Sequence, residues 1–178
     1  MFLVLRVQFT LFSMGFQMDH LWSPWRMKYM EQDNQKNECI FCDAIHAAKD
    51  EEKLVVYKGK ANFVMLNRFP YTSGHMMVIP LVHKAFFEDL DDPTQLELMH
   101  LITASTQAIL KIYHPDGFNI GANIGSGSGA GVQGHLHFHV VPRWEGDSNF
   151  MTTISDTRVI PEDLSQTLKK VKEAWTIK

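Results

Sequence analysis

Apolar positions recur along the chain at two spacings. Lys53–Lys58 and Ala61–Asn67 read as a hairpin of short strands turning at Lys58-Gly59-Lys60, and His75–Val82 is a third β-rich run. Asp92-Pro93-Thr94-Gln95 then offers an N-cap, a proline at the first helical position and a capping-box-like glutamine. Leu98, Leu101, Ile102, Ala108, Ile109 and Ile112 follow at helical spacing, which predicts a long helix to about Lys111. Phe118–Ile124 and Leu136–Val141 are two further strands. Pro161 opens a last helix on which Leu164, Leu168, Val171 and Trp175 form one stripe, with Lys169, Lys170 and Lys172 beside it as a solvated face. Residues 31–38 are polar and read as a loop. The sum is an α+β domain of about five strands, with one main helix between the third and fourth.

The 178 residues suit a single domain, and a chain of this length buries roughly 70% of its unfolded surface without needing disulfides. The first 17 residues are apolar but broken by Arg6, Gln8 and Gln17. They are too short to span a bilayer, and they lack the basic start and small-residue cleavage site of a signal peptide. From Met18 the text becomes aromatic and motif-like, so Met18 is expected to be the true start. Residues 1–17 are then weakly structured or an artefact of start-site choice; the alternative is an uncleaved amphipathic anchor. Residues 18–178 read as one domain, with the cytoplasm as the default location. Seventeen Lys and Arg stand against 20 Asp and Glu, a formal charge of −3, which argues against binding nucleic acid or a membrane through bulk charge.

The nine histidines change the picture more than the charge does. His135-Leu136-His137-Phe138-His139-Val140-Val141 places three of them at alternate positions of an apolar run. In a strand such residues share one face at roughly 6.8 Å intervals. Three ionisable rings on one face of a buried strand are costly unless that face lines a site. Just upstream, seven of the eleven glycines fall between Gly117 and Gly134, where backbone N–H groups can approach an anion closely. No Gly-Lys-Ser or Gly-Lys-Thr follows, so this is not a Walker loop. The strand suits either a metal site or a neutral imidazole that attacks phosphorus. A cupin-like metal site would want a carboxylate closer than Glu145, six residues past His139. Cys39-Ile40-Phe41-Cys42 has metal-ligand spacing but supplies half a tetrahedral site; buried free thiols and a redox dithiol are its other readings. His20, His46, His100 and His114 read as loop or helix-surface residues.

The triad with its hydrophobic spacers resembles the histidine triad nucleotide hydrolases and transferases. A second segment, Asn67-Arg68-Phe69-Pro70-Tyr71-Thr72-Ser73-Gly74-His75, is similar to the family's Asn or Asp eight residues before a Gly-His. Leu21-Trp22-Ser23-Pro24-Trp25-Arg26, Pro142–Phe150 and Val159-Ile160-Pro161 are similar to the branch containing diadenosine tetraphosphate phosphorylases. The resemblance covers roughly residues 18 to 165. It implies a five-stranded antiparallel sheet with one main helix and a C-terminal helix.

The resemblance also implies roles. His137 is the nucleophile that takes up a nucleoside monophosphate, and His139 contacts the transferring phosphate and helps the leaving group depart. His135 and His75 orient the nucleophile. Asn67 binds the ribose, Phe41 and Met65 wall the base, and Asn123 reaches the phosphates. Relatives often carry Ser, Thr or Gln near Gly131, so backbone N–H groups or Gln133 must replace that contact here. Some family members close a Cys2His2 zinc site, for which Cys39, Cys42, His83 and His135 are the set in this chain. No organic cofactor is implied; a homodimer is.

The expected activity is attack on the α-phosphorus of a nucleoside phosphate derivative, with the nucleotidyl group then passed to water or phosphate. Arg143 and Trp144 favour dinucleoside polyphosphates, since arginine binds phosphate through two donors. The alternatives are a nucleoside phosphoramidate hydrolase, a metal-dependent enzyme built on the triad, and a non-catalytic nucleotide-binding module.

Overall fold

The computed structural model describes residues 39–147 and 162–177. The leader, the Leu21–Arg26 phrase, the polar stretch 31–38, Ser148–Phe150 and Val159–Pro161 lie outside the described residues.

Five strands form one sheet: β1 (Val55–Lys58), β2 (Asn62–Leu66), β3 (Met76–Pro80), β4 (Gly117–Ala122) and β5 (Phe138–Arg143). Their spatial order is β1-β2-β3-β5-β4, and every neighbouring pair is antiparallel. Among the described residues three α-helices accompany it: α1 (Ile40–Ile45), α2 (Asp92–Tyr113) and α3 (Leu164–Ala174). The α+β class and the expected topology hold. No helix among the described residues is long and apolar enough to cross a membrane.

Strand alternation divides the core between the two faces of the sheet. Val64, Leu66, Met76, Val78, Leu136 and Val140 pack against α2 through Leu98, Leu101, Ile102 and Ile109, and against α3 through Leu168 and Val171. The opposite face is smaller. Val55, Phe63, Met65, Met77 and Ile79 are covered there by Phe41 and Ala44 of α1. The β1–β2 turn is pinned to α2 by Glu97, whose carboxylate accepts from the backbone N–H groups of Lys60 and Ala61 at 2.7 Å each.

Three boundaries differ from the sequence reading. The cap of α2 is Asp91 rather than Asp92: its carboxylate accepts from Thr94 N–H at 3.0 Å. Pro93 therefore sits at the second helical position, still in the first turn, where its missing N–H has no helical partner to lose. Gln95 closes no capping box and instead donates to the Leu90 carbonyl at 2.9 Å. α3 begins at Leu164, capped by Asp163 through Ser165 N–H, rather than at Pro161.

The third difference matters most for the site. β5 begins only at Phe138, so His135 and His137 precede the ladder. Leu136 N–H donates to the Lys84 carbonyl at 2.7 Å, which draws this segment toward the loop after β3 instead of along β3 itself. The alternation nevertheless persists. Leu136, Phe138 and Val140 face the α2 side, while the three histidines face α1.

Candidate functional site

The site is a run of contacting rings on the α1 face of the sheet. In order they are His83, His135, Phe41, His137, His139, His75 and Tyr71, with successive centroids 4.7 to 5.5 Å apart. The chain delivers them from five places: α1, the Asn67–His75 loop before β3, the loop after β3, the lead-in to β5, and β5 itself, which carries His139. His75, His135 and His137 are buried. The hydrogen-bond partners of the buried ring nitrogens fix the tautomers.

His137 Nδ1–H donates to the His135 carbonyl at 2.9 Å. A carbonyl can only accept, so the proton is on Nδ1 and Nε2 carries the lone pair. At the far end, Tyr71 N–H donates to His75 Nδ1 at 3.2 Å, which leaves the His75 proton on Nε2. That Nε2–H donates to His139 Nδ1 at 2.9 Å, so neutral His139 keeps its own proton on Nε2. The middle and last histidines of the triad are thus set in opposite states, a base and a proton carrier. Burial pushes the His75 pKa from 6.5 down to about 3, with repulsion from His139 and His137 adding to it. His137 is also pushed below its ordinary value by burial, against the pull of the His135 carbonyl. Both rings are therefore neutral at pH 7.

At the other end His135 Nε2–H donates to the Pro80 carbonyl at 2.8 Å. That turns an unprotonated Nδ1 toward sulfur, 3.3 Å from Cys39 Sγ and 3.6 Å from Cys42 Sγ. His83 Nδ1 lies 3.3 Å from Cys42 Sγ. The four ligand atoms all fall within 4.8 Å of one another. Donors bonded at about 2.0–2.3 Å to one tetrahedral ion stand roughly 3.3–3.8 Å apart, so the set fits a metal ion. Burial, then neighbouring Cys39, push the Cys42 thiol up. A cation among these atoms reverses that preference.

Phe41 and Met65 both line this face. Asn67 lies in the loop that reaches His75: its backbone N–H donates to the His75 carbonyl and its Oδ1 accepts from Phe69 N–H, each at 2.9 Å. Asn123 follows Ala122, whose register partner is Phe138, so it stands at the His137 end of β5. Gly131 and Gln133 are exposed on the loop leading into the triad. Arg143 is not brought to the ring cluster. Its guanidinium grips the Asp147 carboxylate at 2.5 and 2.8 Å and donates to Asn119 Oδ1 at 2.7 Å. His46, His100 and His114 are exposed, as expected, and His20 lies outside the described residues.

Sequence reasoning missed three contributors. Tyr71 and Pro80 act through a backbone N–H and a backbone carbonyl, which no side-chain pattern announces. Thr72 ties the Asn67–His75 loop to β5 through a 2.9 Å hydrogen bond to the Pro142 carbonyl.

Comparison with known proteins adds to this geometry. The HIT domain family model matches residues 48–146. The chain is 37% identical over 177 residues to the AP-4-A phosphorylase of Mycobacterium tuberculosis, covering 93% of this chain and 91% of that protein. A zinc-bound histidine triad family protein from Mycobacterium smegmatis superposes with TM-score 0.62 at 28% identity, covering 77% of this chain and 92% of its own. A hypothetical histidine triad nucleotide-binding protein from Sulfolobus tokodaii gives 0.61 at 28% identity, covering 76% and 91%.

Proposed function

The chain belongs to the HIT domain family, and on that footing we propose that it is a nucleotidyl transferase or hydrolase in which His137 carries a nucleoside monophosphate. The observation that carries this reading is the pair of opposed tautomers. His137 presents an unprotonated Nε2, and His139 beside it holds a proton on Nε2.

His137 Nε2 attacks the α-phosphorus in line, forming a P–N bond as the P–O bond to the leaving group breaks. The leaving polyphosphate departs as an anion whose oxygen accepts a hydrogen bond from His139 Nε2–H, and His75 keeps that N–H in place through its own bond to His139 Nδ1. Backbone N–H groups of the glycine loop up to Gly131, with Gln133 and Asn123, hold the phosphoryl oxygens. Phe41 and Met65 wall the base, and Asn67 takes the ribose. The acceptor then attacks phosphorus, the P–N bond breaks, and His137 returns to its starting state.

The substrate we favour is a dinucleoside polyphosphate such as diadenosine tetraphosphate, with inorganic phosphate as acceptor. The similarity to a protein named AP-4-A phosphorylase across nearly the whole chain supports that choice. We assign zinc to Cys39, Cys42, His83 and His135, where two thiolates and two imidazoles suit it. Bound there, it crosslinks α1 to the sheet as a closed structural ion and leaves the chemistry to the histidines. The outer edge of β4 has no strand neighbour among the described residues, Ile120 on it is exposed, and so are Leu96, Met99 and Leu110 on α2. These features support a homodimer.

The test offers diadenosine tetraphosphate with and without phosphate. Phosphorolysis yields ADP and ATP only when phosphate is present, whereas AMP and ATP mean that water is the acceptor. Binding without turnover, for this compound and for an adenylyl amidate, overturns the enzymatic reading in favour of a nucleotide-binding module.

A further inference from the structure

His135 links the two halves of the site through three of its own groups. Its Nδ1 faces Cys39 and Cys42, its Nε2–H is held by Pro80, and its carbonyl holds the proton of His137. A second link runs beside it. Phe41, inside the Cys39–Cys42 segment, meets His135 edge-on at 5.5 Å and His137 at 4.9 Å. It rides on α1, a helix of six residues with no side-chain cap at its N-terminus. A helix so short has little stability of its own and stays where its anchors put it. Its anchors are Phe41, Ala44 and the two cysteines at its start.

We propose that metal binding at Cys39, Cys42, His83 and His135 sets the nucleotide site. The ion clamps α1 to the sheet, which seats Phe41 against His137 and fixes the carbonyl that keeps the His137 proton on Nδ1. The metal ligands are then positioning residues for the nucleophile, and metal occupancy regulates nucleotide binding. The ligand rests on the nucleotidyl reading above; the geometry does not.

Two readouts test the coupling in the full-length chain, zinc-loaded and zinc-depleted. Nitrogen NMR of labelled histidines reports the His137 tautomer directly. The fixed Nδ1–H form is expected in the loaded chain, with averaged ring signals after depletion. The second readout is the affinity for AMP, expected to fall at least tenfold on depletion. By linkage, AMP then tightens zinc binding by the same factor, read by competition with a chelator. Unchanged His137 signals in a folded, depleted chain overturn the proposal. If depletion unfolds the chain, the same NMR comparison is made in His83→Ala, which loses only the exposed ligand. Identical His137 signals at high and low zinc there overturn it equally. Failure of the loaded protein to bind AMP overturns the nucleotide reading instead, and the NMR signals still decide the coupling.

Discussion

Two histidine pairs flank His137, and they solve the same problem in different ways. At one end His83 and His135 each turn a ring nitrogen toward cysteine sulfur, an arrangement that could hold a cation. At the other end His75 and His139 satisfy one another, ring nitrogen to ring nitrogen at 2.9 Å, with Tyr71 N–H closing the chain. The partner each ring nitrogen takes decides what the ring can do. A ring committed to a metal and a carbonyl cannot pass a proton. A ring that accepts from another ring keeps its remaining N–H to donate to a substrate. The triad is thus one sequence motif divided between a static end and a proton-handling end, with His137, the proposed nucleophile, between them.

Removing the centre is the sharpest way to break this comparison. His137→Asn takes away the nucleophilic nitrogen and is expected to lower turnover by at least roughly 10⁴-fold, with metal content and fold intact. Single-turnover release of ATP from diadenosine tetraphosphate measures it; residual activity within tenfold of the parent would sink the His137 assignment. His75→Asn acts on the proton-handling end alone. It should cost about 10²-fold in kcat, the usual scale for losing one well-placed donor to developing oxyanion charge, while zinc stoichiometry stays unchanged. Loss of zinc in that variant would show that the two ends are not separable.

The same end makes stability pH-dependent. His75 ionises near 6.5 when unfolded and near 3 when folded, so between those values the unfolded chain binds the extra proton. The stability its neutral burial contributes is fully present above about pH 6.5 and drains away as the pH falls toward 3. From pH 6.5 to pH 5 this one ring is expected to cost about 1.5–2 kcal/mol. Urea midpoints of parent and His75→Asn isolate the effect, since protonation of the metal ligands is common to both. Parallel pH dependences in the two would refute it.

Much of this division was legible in the sequence, for reasons that differ by element. The α2 stripe and the buried β2 and β3 follow from periodicity. The Cys-x-x-Cys spacing offered half of a candidate metal site, and the family resemblance pointed to His83 and His135, which the fold brings beside it. What could not be read is how the histidine run splits. Alternation put all three rings on one face, which is correct, but implied a continuous strand; β5 starts at Phe138 because Leu136 pairs with Lys84. The tautomers depend on the Tyr71, Pro80 and His135 backbone groups, which every residue possesses, so no residue type reports them. Arg143 shows the same limit from the other side. Its character suggested phosphate, and the fold gives its fork to Asp147.

The mildest way to separate the two ends uses a glycine at each. Gly74 precedes His75 with φ at +81°, and a Cβ there would lie 2.8 Å from Cδ1 of fully buried Ile109. Neither the backbone nor that neighbour can yield cheaply, so Gly74→Ala should cost about 1–3 kcal/mol and displace His75 with the loop. A Cβ at Gly134 would lie 3.3 Å from Nε2 of His83, an exposed ring that can give by a few tenths of an ångström. Gly134→Ala is therefore expected to change stability by less than about 1 kcal/mol. The ring that gives way is a proposed metal ligand, however, so zinc should be lost to a chelator a few-fold faster while His75 and His139 keep their bond. Equal loss of stability in the two variants, or unchanged zinc release from Gly134→Ala, would mean that the static end is held by something other than His83.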